Sequence, residues 1–190
     1  IGEKVGSQDQ MWAAHGGTNF IEFNQNGMIN VSKLLMRPGN HDILNDHILL
    51  FFTGFTRIAE TIAVKKIENV KTKQSQLHTL QQMAVQARET LQSKTPEFHH
   101  IGLLLHDAWK LKRELAEGVS NPAIDQIYEA GIKAGALGGK LLGAGGGGFM
   151  MFFAPPHTHA NIRQALSKLI YVNCNIGSEG SKVVSYEPNT

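Results

Sequence analysis

Residues 143–148 hold five glycines in six positions, with only Ala144 between them. Leu141-Leu142 leads into this stretch and the apolar run Phe149-Met150-Met151-Phe152-Phe153 leads out of it. Glycine tolerates positive φ and lets backbone approach a neighbour or an anion closely. Successive amide N–H groups without side chains can cradle an oxyanion such as phosphate. Linker glycines sit among serine, threonine and charge, whereas these sit between two runs of strand character. An ordered turn tied into a sheet is expected, not a flexible linker.

Asp9 is the second chemical candidate. It falls at the start of a short helix opened by Ser7 and closed by Gly16-Gly17. A carboxylate held beside a substrate hydroxyl can act as a general base. The same residue could equally serve the helix dipole and nothing else. Arg57 follows Thr53-Gly54 at a strand-to-helix change and could meet a phosphate, or could begin a helix with its guanidinium in water. Lys110, Lys112 and Arg113 read as a solvated helix face. None of the nine histidines falls in a metal-binding spacing, so no metal site is expected. Cys174 has no activating neighbour in sequence and reads as a structural thiol. Residues Gly143, Gly145 and Gly148 fit a dinucleotide fingerprint in spacing, but strand residues follow where a helix is required.

The elements that must position these groups follow from periodicity. Phe20, Ile21 and Phe23 form a strand, Asn26-Gly27 turns it, and the segment 28–34 pairs back. Residues 47–53 are a continuous apolar run, expected to be a strand buried on both faces. Helical spacing begins after Arg57, with Ala59, Ile62, Ala63, Lys66, Ile67 and Val70, and continues through Leu77, Leu80, Ala84, Ala87 and Leu91. Phe98, Ile101, Leu105, Ala108 and Leu115 mark the apolar face of a third helix. Asn121-Pro122 caps and starts a fourth. The glycine stretch then joins two strands, residues 157–170 make a last helix, and residues 182–186 a closing strand. Strands, then helices, then strand, helix and strand indicate an α+β fold with helices packed on one side of an antiparallel sheet.

Composition excludes several classes. The chain has 190 residues, 42% of them hydrophobic and 18% charged, which suits a globular protein with its own core. A net charge of +2 without a block of like charge argues against nucleic acid as a partner. No apolar run has the length of a membrane span. The single cysteine suits a reducing compartment, so a cytoplasmic location is expected.

The motif Lys140-Leu141-Leu142-Gly143-Ala144-Gly145-Gly146-Gly147-Gly148-Phe149 resembles the third motif of the GHMP kinases, the superfamily of galactokinase, homoserine kinase, mevalonate kinase and phosphomevalonate kinase. Val5-Gly6-Ser7-Gln8-Asp9-Gln10, with Gly16-Gly17 after it, resembles the segment that carries the catalytic aspartate in the sugar-kinase branch. Leu49 to Arg57, and Gly102 to Pro122 with its His106-Asp107-Ala108-Trp109-Lys110-Leu111-Lys112-Arg113, resemble the bacterial D-glycero-D-manno-heptose 7-phosphate kinases. Leu142 and Phe149 stand where many superfamily members carry serine or threonine and cysteine; both are similar to the heptose branch. The superfamily's second motif, Pro-x-x-x-Gly-Leu-Gly-Ser-Ser, is not in this sequence, and the chain opens on Ile1, so it is expected to be the C-terminal part of a longer kinase.

The resemblance implies a GHMP kinase C-terminal domain over residues 53–190 and, over 1–52, a remnant of the domain that precedes it. It implies transfer of a phosphoryl group from ATP, with Mg2+ bound mostly by residues outside this sequence, to the anomeric hydroxyl of a heptose 7-phosphate. Asp9 would be catalytic. Gly16, Gly17 and Arg57 would bind substrate. Lys140, Gly143, Ala144, Gly145, Gly146, Gly147 and Gly148 would form the glycine motif. The piece by itself would be inactive, and a homodimer is left open. Fucose or galactose as the sugar, and a non-catalytic ligand-binding member of the fold, are the alternatives.

Overall fold

The computed structural model describes residues 6–55 and 59–185, and the side chains of all these but 59–61. They fall into two compact units, one of residues 36–174 and one that joins residues 6–35 to the segment from residue 175. This division differs from the expected boundary at residue 52.

The smaller unit opens with helix α1 (Gln8–His15), whose N-cap is Ser7 and whose first turn holds Asp9. Gly16, at φ +60°, ends the helix by donating its N–H to the Trp12 carbonyl at 2.7 Å. Strands β1 (Asn19–Phe23) and β2 (Ile29–Lys33) pair antiparallel, Asn19 opposite Lys33 and Phe23 opposite Ile29. Asn26-Gly27 does turn the chain: Gly27 takes φ +82°, and Asn26 Oδ1 accepts the Met28 N–H at 3.0 Å. The later segment returns along α1, with the Gly17 N–H donating to Ser178 and the Ser181 N–H to Ala13.

The larger unit is built on a sheet of order β4-β5-β3-β6, every adjacent pair antiparallel. Its elements in chain order are α2 (Asn40–Asp46), β3 (Ile48–Phe52), α3 (Ala59–Asn69), α4 (Gln74–Gln92), α5 (Phe98–Glu114), α6 (Pro122–Lys133), β4 (Gly138–Leu141), β5 (Phe149–Phe153), α7 (His159–Ala165) and β6 (Ile170–Val172). Strand alternation sends Leu49 and Phe51 of β3, and Met150 and Phe152 of β5, to one face. There they meet Trp109 of α5, Ile124 and Tyr128 of α6 and Ile162 of α7 in one buried cluster. Each large side chain taken from water adds about 2 kcal/mol. The expected α+β arrangement of helices on an antiparallel sheet is present.

Several local expectations are corrected. β3 is fully buried on one face only; Ile48, Leu50 and Phe52 are half-buried. It belongs to the larger unit's sheet, because it pairs with β5 along its whole length. Residues 40–46, where the periodicity gives no element, form α2. The last helix stops at Ala165, and Ile170 starts β6 alongside β3 instead. The described part of the expected closing strand, residues 182–185, joins no ladder, and Val183 and Val184 are exposed. Helix α5 turns its expected face inward, with Leu115 buried, and buries Gly102, Leu104 and Trp109 on either side of it. Gly102 belongs to a close approach: a Cβ on Gly138 would lie 2.1 Å from its carbonyl oxygen.

α6 begins as its sequence dictates. Asn121 Oδ1 accepts the N–H groups of Ala123 and Ile124, both at 3.0 Å, and Pro122 takes the first helical position. Tyr128 on this helix bonds His106 Nδ1 of α5 through its hydroxyl at 2.6 Å. Burial pushes the Tyr128 phenol up to about 12. Burial first, and then the Lys110 ammonium, hold the His106 imidazole below its ordinary 6.5. The folded state therefore favours neutral His106, and its contribution is complete above pH 6.5 and lost as pH falls through the lower folded value. His106→Gln is expected to flatten the loss of stability on acidification below that point, measured by urea unfolding at a series of pH values. An unchanged pH slope would remove His106 from the account.

Candidate functional site: a glycine turn gripped by lysines

The connection from β4 to β5 is the glycine stretch. The Leu142 N–H donates to the Phe149 carbonyl at 2.8 Å and extends the ladder by one rung. Beyond it, Gly143, Gly145, Gly146 and Gly148 take φ values of +73°, +123°, +80° and +96°. The turn folds onto two neighbouring segments. The Gly146 N–H donates to Val119 at 3.1 Å and the Gly148 N–H to Phe55 at 2.9 Å. The Gly148 carbonyl accepts both the N–H and the hydroxyl of Thr53, at 2.9 and 2.8 Å. Thr53 is thereby the buried polar residue that fastens the end of β3 to the turn.

Two of the glycines are required by contact. A Cβ on Gly145 would fall 2.7 Å from the Val119 Cα, and one on Gly147 would fall 2.3 Å from the Phe55 carbonyl oxygen. The turn is small because backbone presses on it from both sides.

Lysines hold three carbonyls at its start. Lys112 Nζ, from α5, donates to Leu141 at 3.1 Å and to Gly143 at 2.8 Å. Lys66 Nζ, from α3, donates to the Ala144 carbonyl. Burial first, and then the nearby Lys140 ammonium, lower the Lys66 value from the usual lysine range. Lys140 itself stands on β4 at the entrance to the turn. Among the described residues, the N–H groups of Gly143, Ala144, Gly145 and Gly147 donate to no acceptor. The carbonyls of Gly143, Ala144 and Gly148 are thus occupied by the protein's own donors. Amides and three ammonium groups make the rest suited to an anion.

Lys112 corrects its reading as part of a solvated face. Lys66 falls in the apolar rhythm of its helix, which by itself gives it no role. That placement was itself the available signal: a lysine at the spacing of Ile62, Ala63, Ile67 and Val70 must send its ammonium to a partner. Thr53, Phe55 and Val119 had no signal in sequence.

The remaining candidates lie elsewhere. Asp9 is exposed in the first turn of α1. Gly16 is buried, and its lack of a side chain has a structural cause: a Cβ there would lie 2.0 Å from the Gly180 nitrogen. Gly17 takes φ +69° with open space around it. Asp9, Gly16 and Gly17 share the smaller unit; Lys140 and the glycine motif share the larger one. Arg57 lies outside the described residues. Among the described residues, no three histidine, cysteine or carboxylate side chains gather where they could hold a metal. No described helix is long and apolar enough to cross a membrane.

Residues 87–172, from within α4 to the end of β6, match the family model described as GHMP kinases C terminal. The chain carries a GHMP kinase C-terminal domain. The glycine turn of this domain lies inside the matched residues. The chain is 35% identical over 170 residues to the D-glycero-alpha-D-manno-heptose 7-phosphate kinase of Campylobacter jejuni, covering 88% of this chain and 50% of that protein. It is 30% identical over 175 residues to the bifunctional fucokinase/GDP-fucose pyrophosphorylase of Arabidopsis thaliana, covering 88% of this chain and 16% of that protein. The crystal structure of a putative sugar kinase from Campylobacter jejuni superposes with a TM-score of 0.68 at 32% identity, covering 93% of this chain and 50% of that one. The chain thus spans about half the length of the heptose kinase it matches, and the residues matched by the GHMP model lie within its larger unit.

Proposed function

We propose that the chain is part of an ATP-dependent sugar kinase that phosphorylates the anomeric hydroxyl of D-glycero-D-manno-heptose 7-phosphate, giving the 1,7-bisphosphate. The observation that carries this reading is the 35% identity to a heptose 7-phosphate kinase across 88% of the chain. The glycine turn supports it, since amides that meet no acceptor among the described residues suit a phosphoryl oxyanion.

Phosphoryl transfer depends on positioning and on charge stabilisation more than on covalent work by the protein. Asp9, on an exposed helix start, accepts or orients the proton of the acceptor hydroxyl. Gly17, and Gly16 beside it, let substrate pass close to the backbone. Arg57 meets the 7-phosphate. The turn at residues 143–148, with Lys140 at its entrance, offers amides to a phosphoryl oxygen. ATP, when bound, supplies the transferred group. The reading includes a cytoplasmic location, consistent with a single cysteine in the chain, and leaves a homodimer open.

A second reading, with fucose as the sugar, is favoured by the similarity to the Arabidopsis fucokinase. A substrate panel separates the two. Protein containing this chain is expected to turn over heptose 7-phosphate at least about 10²-fold more efficiently than fucose or galactose, because a site with a buried phosphate partner rejects sugars that leave it unpaired. Preference for fucose would overturn the heptose assignment, and no ATP turnover with any sugar would favour a non-catalytic member of the fold.

A further inference from the structure

We propose that Lys66 and Lys112 are positioning residues that grip the glycine turn by its carbonyl oxygens and thereby fix the direction of the Ala144 and Gly145 amides. The grip itself stands on geometry; only the identity of the anion it serves rests on the kinase reading above.

The argument begins with the peptide bond. In a planar trans peptide the C=O and the following N–H point in opposite directions. Lys112 holds the Gly143 carbonyl at 2.8 Å, which turns the Ala144 N–H away from that ammonium. Lys66 holds the Ala144 carbonyl, which does the same to the Gly145 N–H. Lys112 also holds Leu141 at 3.1 Å, whose partner amide, Leu142, is the rung that closes onto Phe149. Two ammonium groups on two separate helices therefore determine three successive features of the turn.

Such a grip answers a need that the glycines create. A glycine-rich turn has more conformations to lose on ordering than any other sequence. Backbone hydrogen bonds with Val119, Phe55 and Thr53 hold its second half, through Gly146 and Gly148. In the first half Ala144 packs on the core and Val119 lies against Gly145, while the carbonyls of Gly143 and Ala144 are held by the lysines. Their location costs something, since burial disfavours the charged form of Lys66. A lysine serving only as surface charge would have remained in water. Charge adds to direction: ammonium groups on the carbonyl side leave the amide side electropositive, as a phosphoryl oxyanion requires.

The test is 15N relaxation of the 190-residue chain, unsubstituted and as Lys66→Met and Lys112→Met. In the unsubstituted chain the Ala144 and Gly145 N–H order parameters are expected near the rigid value of about 0.85, and in both Met variants below about 0.6. The amides of β3 and β5 keep their values, and Lys112→Arg, which retains charge and donors, restores rigidity at Ala144. Order parameters unchanged in both Met variants overturn the proposal. Where a Met variant fails to fold, the unsubstituted chain decides through its lysine 15Nζ spectrum: ammonium protons of Lys66 and Lys112 that exchange with water as fast as those of exposed lysines also overturn it. Pyrophosphate supplies a separate arm. It is expected to shift the Ala144 and Gly145 amides in the unsubstituted chain and not in the Met variants. Order parameters that respond as expected, without any pyrophosphate shift, support the grip and remove the phosphoryl role of the turn.

Discussion

Asp9→Asn is expected to lower sugar-kinase turnover about 10²–10⁴-fold, the span that a positioned general base contributes. The measurement is kcat for heptose 7-phosphate with saturating ATP, in a preparation whose unsubstituted protein is active. Asparagine keeps the size of the side chain and loses the acceptor for the hydroxyl proton. Stability should be nearly unchanged, because Asp9 is exposed and α1 buries none of its residues. The loss of a carboxylate from a helix's first turn costs only about 0.3–1 kcal/mol. A variant with near-normal kcat would reduce Asp9 to that dipole role. A variant that loses activity and stability together would make the residue structural.

Gly145→Ala is expected to destabilise the larger unit by about 2–6 kcal/mol, from two sources of comparable size. Backbone at φ +123° is disfavoured for an L side chain, at roughly 1–3 kcal/mol. The new Cβ would also sit 2.7 Å from the Val119 Cα, and backbone cannot retreat as a side-chain tip can, adding about 1–3 kcal/mol of overpacking. Gly143→Ala is the control. It too has positive φ, +73°, but a Cβ there has nothing within 4 Å. Its expected cost is only the left-handed strain of about 1–2 kcal/mol. Urea denaturation of the two variants separates strain from contact, and equal losses would show that Val119 does not press on the turn.

The two substitutions probe different parts of the motif's meaning. The glycines first suggest a generic anion cradle. The structure gives Gly145 and Gly147 a more specific cause, the backbone of Val119 and Phe55. Among the described residues, amides of the turn without an acceptor are those of residues 143–145 and Gly147. A glycine motif can thus combine packing glycines with amide-presenting ones, and only the coordinates tell them apart.

Much of the fold was legible because its signals are local. The hairpin at Asn26-Gly27, the cap of Asn121 with Pro122, the helices from Ala59 onward and the two strands flanking the glycines all follow from neighbours a few residues apart. The errors came where a distant partner decides. Ile170 continues a helical rhythm but pairs as a strand with Phe52, whose β3 edge needs a neighbour. Val183 and Val184 have strand propensity and no ladder to join. α5 buries Gly102 beside its apolar face because Gly138 approaches it too closely for a Cβ. Residues 40–46 are helical despite a weak local signal, with Leu44 as the buried anchor.

The sequence by itself determined the α+β class, the turn between two apolar strands and the motif that resembles the GHMP kinases. These are properties of short windows: periodicity, capping and glycine content act within about a turn or a strand. Only the tertiary structure decided what the turn rests on. Lys66 and Lys112 lie far from it along the chain and read as helix residues like any other. Their role exists because α3 and α5 bring two ammonium groups to carbonyls that the strand ladder leaves unpaired, and no local pattern records an encounter between segments so widely separated.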